Sequence, residues 1–445
     1  MQKSSKRSNS MSRRQFFQVG SAAAVAGSTL SMCSGLGEKT GKIRKHRVLG
    51  RTGFKVSDIA LGGAANESDV IRYAYDKGVN YFDTAESYGG GASEKAIGGA
   101  MQFMDRKKIF ITTKIHFNLE ETEESLLERF GKCQERLQTD YVDALFIHSV
   151  SDLNILNHTG FHAATEKLKA DGRVRFVGLS SHGPGDEGDS MEKVLCAASE
   201  DGRFDLMLLV YNFMNREEGE KVLAACKKNN VGTTAMKTMP GRLIVYPFDP
   251  ENPTGGYKEW MDSMIERGRS KDEAVKRIQD WVKEQEKLSE DVKPFAEKHG
   301  IQTNEKLRMA SLQWVLANPD MHTVCMGLEN YEELDAFIPL SGTKLSHADA
   351  AFLSDYQYAF NNRYCRHGCT TCVDQCAHKL PVSTIMRYSY YFAMFGREQL
   401  AMRKYAKLES NGSLCLNCTA PCTGACPHGV DIRNNMISAD SILSV

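Results

Sequence analysis

The sequence lacks an excess of charge of either sign: Lys plus Arg and Asp plus Glu each number 56 in 445 residues. Without a basic surplus, no nucleic-acid partner is expected. The chain also lacks a stable membrane span, because its apolar candidate at 16–30 is too short. No internal repeat longer than a strand–helix unit is visible. With 41% hydrophobic residues, the chain can bury one large core and a smaller satellite domain.

Residues 1–35 have the composition of a targeting segment rather than of a folded domain. A basic head precedes the apolar run, and the sequence S-R-R-Q-F-F at 12–17 resembles a twin-arginine export signal. That resemblance implies export of the folded, cofactor-loaded protein to the periplasm. A disordered basic tail is the alternative. Lipidation of Cys33 is not expected, because Met32 is larger than the residue a lipoprotein signal has there.

Eight short apolar runs alternate with helical patterns between residues 45 and 345. Such runs indicate parallel strands buried on both faces, and eight of them predict an α/β fold of the (β/α)8 TIM-barrel type. The predicted strands are Asp58–Gly62, Val79–Thr84, Ile109–Ile115, Tyr141–His148, Val174–Ser180, Phe204–Tyr211, Val231–Lys237 and Thr323–Gly327. Predicted helices include Glu121–Arg136, Glu305–Leu316 and Ser270–Lys287. A hairpin at 49–56 is expected to close the barrel floor, and an insertion at 241–303 to cover its mouth.

Four side chains with acid–base chemistry stand at the ends of predicted strands two, three and four: Asp83, Tyr88, Lys114 and His148. In a barrel the carboxyl ends of the strands carry the chemistry. A buried lysine beside a phenol stabilises the phenolate and lowers the phenol pKa from about 10 towards neutrality. The aspartate would hold the lysine, and the imidazole would hydrogen-bond a carbonyl oxygen. Each residue alone has a structural explanation, but together they predict a catalytic site.

These motifs, F-D-T-A-x-x-Y-G, T-T-K and the strand-four His148, resemble the aldo/keto reductase family over residues 47–337. The resemblance implies hydride transfer between a nicotinamide nucleotide and a small carbonyl or alcohol. It gives Tyr88 the role of general acid and Lys114 the role of modulating that acid. Asp83 is then the partner of the lysine, and His148 orients the carbonyl group. It further implies a nicotinamide site whose members are Ser180 and Ser181 for the carboxamide, Tyr211 for ring stacking, and Gly327 after strand eight.

The chain departs from the family pattern at the predicted nucleotide site. Ser181 replaces an asparagine and Leu208 a glutamine, which removes carboxamide hydrogen bonds. After strand eight, no Lys or Arg occurs from Met321 to Thr343, whereas Glu329 and Glu333 do. A 2′-phosphate there would meet like charge. NAD(H) is therefore favoured over NADP(H).

Eight cysteines form two spaced quartets near the end of the chain. The spacings are C-x3-C-x2-C-x3-C and C-x2-C-x3-C-x3-C-P, which resemble a bacterial ferredoxin module. Structural zinc and a disulfide framework are the alternatives. We expect a small α-helical ferredoxin-like iron–sulfur domain at 355–445, with one long helix at Ser383–Leu408. The expected ligands of its two 4Fe–4S clusters are Cys365, Cys369, Cys372, Cys376, Cys415, Cys418, Cys422 and Cys426.

A single cluster bound mainly by the second quartet is the alternative, because His378 and Lys379 occur where a proline is expected after Cys376. The other five cysteines are isolated and are interpreted as small buried hydrophobic residues.

Two functions are compatible with these features. The first is an exported oxidoreductase that couples hydride transfer to iron–sulfur electron transfer, with a possible electron-transfer partner. The second is a catalytically silent barrel that serves as an iron–sulfur electron carrier or interaction protein. The complete set of four strand-end residues favours the enzyme. The sequence does not name the substrate.

Overall fold

The computed structural model describes residues 41–445 except for 64–66, 185–187, 242, 245–246, 254, 396–397 and 445. The predicted export signal at 1–35, including Cys33, lies outside the described residues. In the described part, no helix is both long and apolar enough to cross a bilayer.

The centre of the fold is a closed barrel of parallel strands, in which the last strand pairs with both the first and the seventh. The barrel strands are β3 Ile59–Leu61, β4 Tyr81–Asp83, β5 Phe110–Ile115, β6 Val142–Ile147, β7 Val174–Ser181, β8 Leu206–Val210, β9 Gly232–Met236 and β10 Thr323–Met326. All eight predicted strands and the barrel class are therefore confirmed. Large buried side chains such as Tyr81, Phe110 and Phe146 fill the interior, so the barrel is a packed core.

An antiparallel hairpin closes the floor of the barrel, as predicted. It consists of β1 His46–Val48 and β2 Lys55–Ser57, and Leu49 at its turn is fully buried with the interior residues. Gly50 has a φ of 48°, and a Cβ there would lie 2.3 Å from the backbone nitrogen of Gly232. Only glycine allows the turn to approach β9 so closely.

Helices surround the barrel because each has one apolar face. In Glu123–Leu137, residues Leu126, Phe130, Cys133 and Leu137 are buried, and the Thr122 side chain caps the first turn by accepting from the Ser125 N–H. The helices are α1 Ser68–Asp76, α2 Ala92–Met101, α3 Glu123–Leu137, α4 Thr159–Ala170, α5 Met191–Asp201, α6 Glu217–Lys228, α7 Gly255–Glu266, α8 Lys271–Glu290, α9 Lys293–Lys298, α10 Glu305–Ala317, α11 Tyr331–Phe337, α12 His347–Phe360, α13 Val382–Phe395, α14 Glu398–Tyr405, α15 Pro421–Gly424 and α16 Ile432–Leu443.

The insertion and the cysteine-containing segment share one hydrophobic core. Trp260 of α7 packs edge-on against Phe392 of α13 at 4.5 Å between ring centroids, and Trp281 of α8 contacts the same ring. The predicted single helix at 383–408 is wrong, because two helices, α13 and α14, occupy this stretch. Residues 41–445 form one compact unit, so the predicted parts 45–345 and 355–445 pack against each other.

Candidate active site

The structure brings the four predicted catalytic side chains together at the carboxyl end of the barrel. Asp83 is the last residue of β4, Lys114 lies near the end of β5, and His148 follows β6. Tyr88 lies on a short 3-10 turn, Tyr88–Gly91, after β4. Because the strands are parallel, these four positions share one edge of the sheet, and the sequence motif is therefore also a spatial cluster.

The ion pair between Lys114 and Asp83 forms the base of this cluster. Lys114 Nζ donates to Asp83 Oδ1 at 2.5 Å and to the carbonyl oxygen of Thr84 at 2.7 Å. The two side chains are 0% and 4% exposed. Burial raises the pKa of Asp83, and Lys114 opposes that shift. Burial lowers the pKa of Lys114, but Asp83 and Tyr88 outweigh it, so the pKa of the lysine lies above its ordinary value. Lys114 is therefore held as a cation.

Tyr88 is positioned by contacts of its ring with two neighbouring side chains. Lys114 Nζ lies 4.9 Å from the ring centroid, and the His148 ring is perpendicular to it at 5.5 Å. The predicted pKa shift towards neutrality does not agree with the structure. Burial raises the pKa of Tyr88 above 10, and the opposing effect of Lys114 is smaller. Tyr88 is thus a protonated phenol, the form that a proton donor requires.

His148 is a neutral imidazole in this environment. Burial, followed by the nearby cations Lys114 and Lys404 and by His116, lowers the pKa of His148 well below its ordinary value. A neutral ring can donate one N–H to a carbonyl oxygen without adding a charge. This state matches the orienting role predicted for His148.

The predicted carboxamide-binding serines lie on the strand next to His148. Ser180 and Ser181, both buried, end β7. Ser180 Oγ accepts from the Ser149 N–H at 2.9 Å, and Ser181 Oγ accepts from the Gly183 N–H at 3.1 Å. Each hydroxyl keeps its own hydrogen for donation to a carbonyl group.

Comparisons with known proteins agree with this geometry. Residues 63–355 match the model of the aldo/keto reductase family. The chain belongs to the aldo/keto reductase family. Members of this family are oxidoreductases that generally depend on NAD(P).

Two curated relatives illustrate the similarity of this aldo/keto reductase to known members. A Glycine max protein named probable aldo-keto reductase 1 is 25% identical over 326 residues, which are 68% of this chain and 85% of the relative. An Arabidopsis thaliana L-galactose dehydrogenase is 34% identical over 157 residues, which are 30% of this chain and 47% of the relative.

Among solved structures, the holo form of an aldo-keto reductase from Bacillus halodurans superimposes with a TM-score of 0.50 at 20% identity. The superposition covers 70% of this chain and 95% of that one. This likeness shows the shared fold.

The position of Tyr211 argues against the predicted stacking on a nicotinamide ring. Its ring faces the helix layer outside the barrel, where it lies 5.0 Å from the Trp314 ring of α10, and its hydroxyl accepts from Asn318 Nδ2. Residues alternate between the two faces of a strand, and Leu208 of β8 is the one that points into the interior. The family motif was recognisable in the sequence, but the side of the strand was not.

The loop after β10 has a cation neighbour that the sequence did not reveal. Gly327 is exposed directly after β10, and Glu333 on α11 pairs with Arg308 of α10 at 2.8 Å. The backbone N–H of Glu329 donates to the second carboxylate oxygen of Glu333 at 3.0 Å. Arg308 lies near the start of α10, and the rest of that helix and β10 separate it from the loop in sequence. Its pairing with Glu333 of α11 brings it to the loop.

The barrel mouth of this aldo/keto reductase also contacts the cysteine-containing segment directly. Asn212 Nδ2 donates to the Tyr364 hydroxyl at 3.2 Å. A Cβ on Gly183 would lie 2.8 Å from the Cα of Gly368, so the two loops touch backbone to backbone. Tyr391 of α13 raises the pKa of Tyr88, and Lys404 of α14 lowers the pKa of His148, so residues of both helices lie near the site of Tyr88.

The eight predicted cluster ligands lie beyond the family match and form two groups. Cys365, Cys369, Cys372 and Cys426 line one pocket together with Pro427 and Val430. Burial raises the pKa of Cys415, and Cys376, Cys422 and Cys418 raise it further, to about 11. The fourth cysteine of each sequence quartet thus lies with the other quartet. All cysteines in the described part of the chain are free thiols, and no three His, Cys, Asp or Glu side chains there could hold a single metal ion.

Proposed function

We propose that the chain is an oxidoreductase of the aldo/keto reductase type that transfers hydride between a nicotinamide nucleotide and a small carbonyl or alcohol. One observation carries the proposal: Tyr88, a protonated phenol, contacts both the cationic Lys114 and the neutral His148. This arrangement supplies a proton donor, a positive charge beneath the developing phenolate, and a hydrogen-bond donor for the substrate oxygen.

The residues have separate tasks in the reducing direction. His148 orients the carbonyl group towards Tyr88, and Tyr88 gives its proton to the oxygen as the carbon is reduced. Lys114, fixed by Asp83, then stabilises the tyrosinate, which regains a proton from solvent. A bound nicotinamide would supply the hydride and its electron pair.

Ser180 and Ser181 fit a carboxamide, because their buried hydroxyls can still donate hydrogen bonds. We propose NAD(H) rather than NADP(H), because Glu329 and Glu333 are acidic and Arg308 is already paired with Glu333.

The Tyr88→Phe variant tests the catalytic proposal. Loss of the proton donor should lower kcat by roughly 10²–10⁴ for an aldehyde with reduced nucleotide, while nucleotide binding stays unchanged. Steady-state kinetics and fluorescence titration measure the two quantities. Wild-type turnover in the variant would show that Tyr88 is not the acid. If the unmodified protein reduces no aldehyde, the silent barrel becomes the better description.

We further propose that the cysteines hold two 4Fe–4S clusters. Cys365, Cys369, Cys372 and Cys426 would bind one, and Cys376, Cys415, Cys418 and Cys422 the other, as in ferredoxins whose last cysteine of each run binds the opposite cluster. Two features support this: the four-cysteine pocket and the second group of four around Cys415. A cluster of four irons spans more space than one ion, so its ligands need not meet the spacing of a zinc site.

The contact between Tyr364 and Asn212 supports the proposed coupling of the two halves, because it joins the cysteine segment to the mouth of the barrel. Clusters bound there would accept or donate single electrons. Anaerobic visible and EPR spectra before and after addition of NADH test this coupling, and unchanged spectra would contradict it.

Export to the periplasm by the twin-arginine route is proposed from the sequence at 12–17 alone. Cell fractionation of the wild type and of the Arg13→Lys, Arg14→Lys variant tests it. Equal distribution of the two proteins would contradict export by this signal.

A further inference from the structure

Three cations outside the predicted catalytic set surround one side of the barrel mouth. Lys237 follows β9, and its Nζ lies 4.4 Å from the ring centroid of Tyr391 on α13. Lys237 has a φ of 57°, a left-handed conformation that costs energy for a residue other than glycine. Such strained residues concentrate at functional sites, because the surrounding structure must hold them there.

Arg387 and Lys404 complete this group from the cysteine-containing segment. Arg387 lies one turn before Tyr391 on α13, so the two side chains share a helix face. The Nε atom of Arg387 is buried and has no hydrogen-bond partner among the described residues. Within the same part of the chain, neither Arg387 nor Lys404 forms an ion pair with a carboxylate.

The three cations shift the pKa values of side chains at the barrel mouth. Burial alone would raise the pKa of Tyr391, yet Lys237, Arg387 and Lys404 together bring it below its ordinary value. Burial lowers the pKa of His182, and Arg387 and Lys237 lower it further. Tyr391 in turn contributes to the raised pKa of Tyr88, so the three cations lie near the proposed proton donor.

Two carboxylates at the barrel mouth are already paired with cations other than Arg387 and Lys404. Asp83 is paired with Lys114, and Glu86 is paired with Arg129 of α3. Among the described residues, Arg387 and Lys404 therefore remain beside the mouth as cations without a carboxylate partner. Such a site attracts an anion, and an Arg fork can bind a carboxylate or a phosphate through two hydrogen bonds.

We propose that Lys237, Arg387 and Lys404 form a substrate subsite for an anionic group, so that the substrate is a small carbonyl or alcohol that carries a carboxylate or a phosphate. This inference rests on the proposed function, because it places the reacting carbon of the same molecule at Tyr88. The barrel supplies the acid–base residues, and the C-terminal helices supply two of the three charges that select the substrate.

Isothermal titration of the full-length protein tests the subsite without turnover. The ligands are a hexuronate, a hexose 6-phosphate and the parent hexose, which differ in the anionic group. We expect at least one anionic ligand to bind about tenfold more tightly than the hexose. The stronger of the two anionic ligands identifies carboxylate or phosphate as the group selected. Equal binding of all three ligands would overturn the proposal.

Variants locate the binding site. We expect Lys404→Gln, at an exposed position, to weaken anion binding by roughly tenfold, and Arg387→Gln to do the same. Arg387→Lys should restore part of the binding. Lys407→Gln is the control. It removes the same charge from an exposed position, and Lys407 is not among the cations that lower the pKa of Tyr391. Equal effects of Lys404→Gln and Lys407→Gln would contradict the proposal.

Two further outcomes separate this inference from the function on which it rests. Selective anion binding without any turnover would retain the subsite and reject the reductase. Turnover of anionic and neutral substrates with equal kcat/KM would retain the reductase and reject the subsite. Anion binding that saturating NADH abolishes would also reject it, since the cations would then belong to the nucleotide pyrophosphate.

Discussion

At the scale of single residues, the position of Tyr88 depends on the absence of a side chain at Gly63. A Cβ on Gly63 would lie 1.9 Å from Cδ2 of Tyr88, so an alanine there must displace the ring. We predict that Gly63→Ala lowers kcat by about 10²-fold, because a displacement of about an ångström at a reacting group has that cost. Steady-state kinetics of the variant measure the change.

Gly131→Ala is the matched control for this prediction. Gly131 lies in α3, where an added Cβ would have no atom within 4 Å, and alanine favours a helix more than glycine does. The control should keep wild-type kcat and unfold at the same or a higher temperature. If Gly63→Ala also keeps wild-type kcat, the ring of Tyr88 does not need its present position.

The sequence predicted the clustering of the four strand-end side chains better than it predicted their environment. The spacing of Asp83, Tyr88 and Lys114 along two strands was sufficient to place them together, since parallel strands end at one edge. The pKa of Tyr88 could not be predicted, because it depends on how deeply the ring is buried. Arg387 was missed because it joins the site only through the packing of a distant segment. Lys237 ended a predicted strand, Val231–Lys237, but its contact with Tyr391 depends on the same packing.

At the scale of helices and strands, the pairing of α10 with α11 bears on nucleotide choice. Glu333 occupies the guanidinium of Arg308, the cation that a 2′-phosphate would otherwise meet near Gly327. We predict that Glu333→Gln shifts the ratio of NADPH to NADH affinity towards NADPH by roughly tenfold, because a released Arg binds phosphate through two hydrogen bonds. Fluorescence titration with each nucleotide measures the ratio.

Glu332→Gln provides the control, since Glu332 is exposed on the same helix and removes the same charge. An equal shift in both variants would indicate a general effect of charge rather than release of Arg308. An unchanged ratio in Glu333→Gln would show that Arg308 is not near the nucleotide.

The regular elements of the barrel were predictable and the C-terminal helices less so. Each barrel strand is an apolar run between helices with their own periodicity, so its identity is local information. The predicted single helix at 383–408 was wrong, because the structure has two helices there, α13 and α14. Hydrophobic periodicity alone did not separate the two helices.

At the scale of the whole molecule, the cluster content can be counted. We predict about eight iron atoms per chain after anaerobic reconstitution, because two 4Fe–4S clusters need eight cysteine ligands. Cys369→Ser should lower the iron content substantially, since Cys369 lines the four-cysteine pocket. Cys196→Ser, at a half-exposed cysteine of α5 outside both groups, should leave it unchanged. If the unmodified protein holds about four irons and Cys369→Ser holds the same number, the chain binds a single cluster, and the first quartet is not a cluster site.

The contact between the barrel mouth and α13 has a consequence for how the protein is made. The ribosome completes β10 before it synthesises Arg387, Tyr391 and Lys404, so the acid–base residues exist first and the wall opposite them comes last. A nascent chain that has only its barrel would have an open mouth without two of the three charges that the finished molecule has there. Tyr88 therefore gains its complete surroundings only when translation is almost finished, at about the time that the second cysteine group is synthesised.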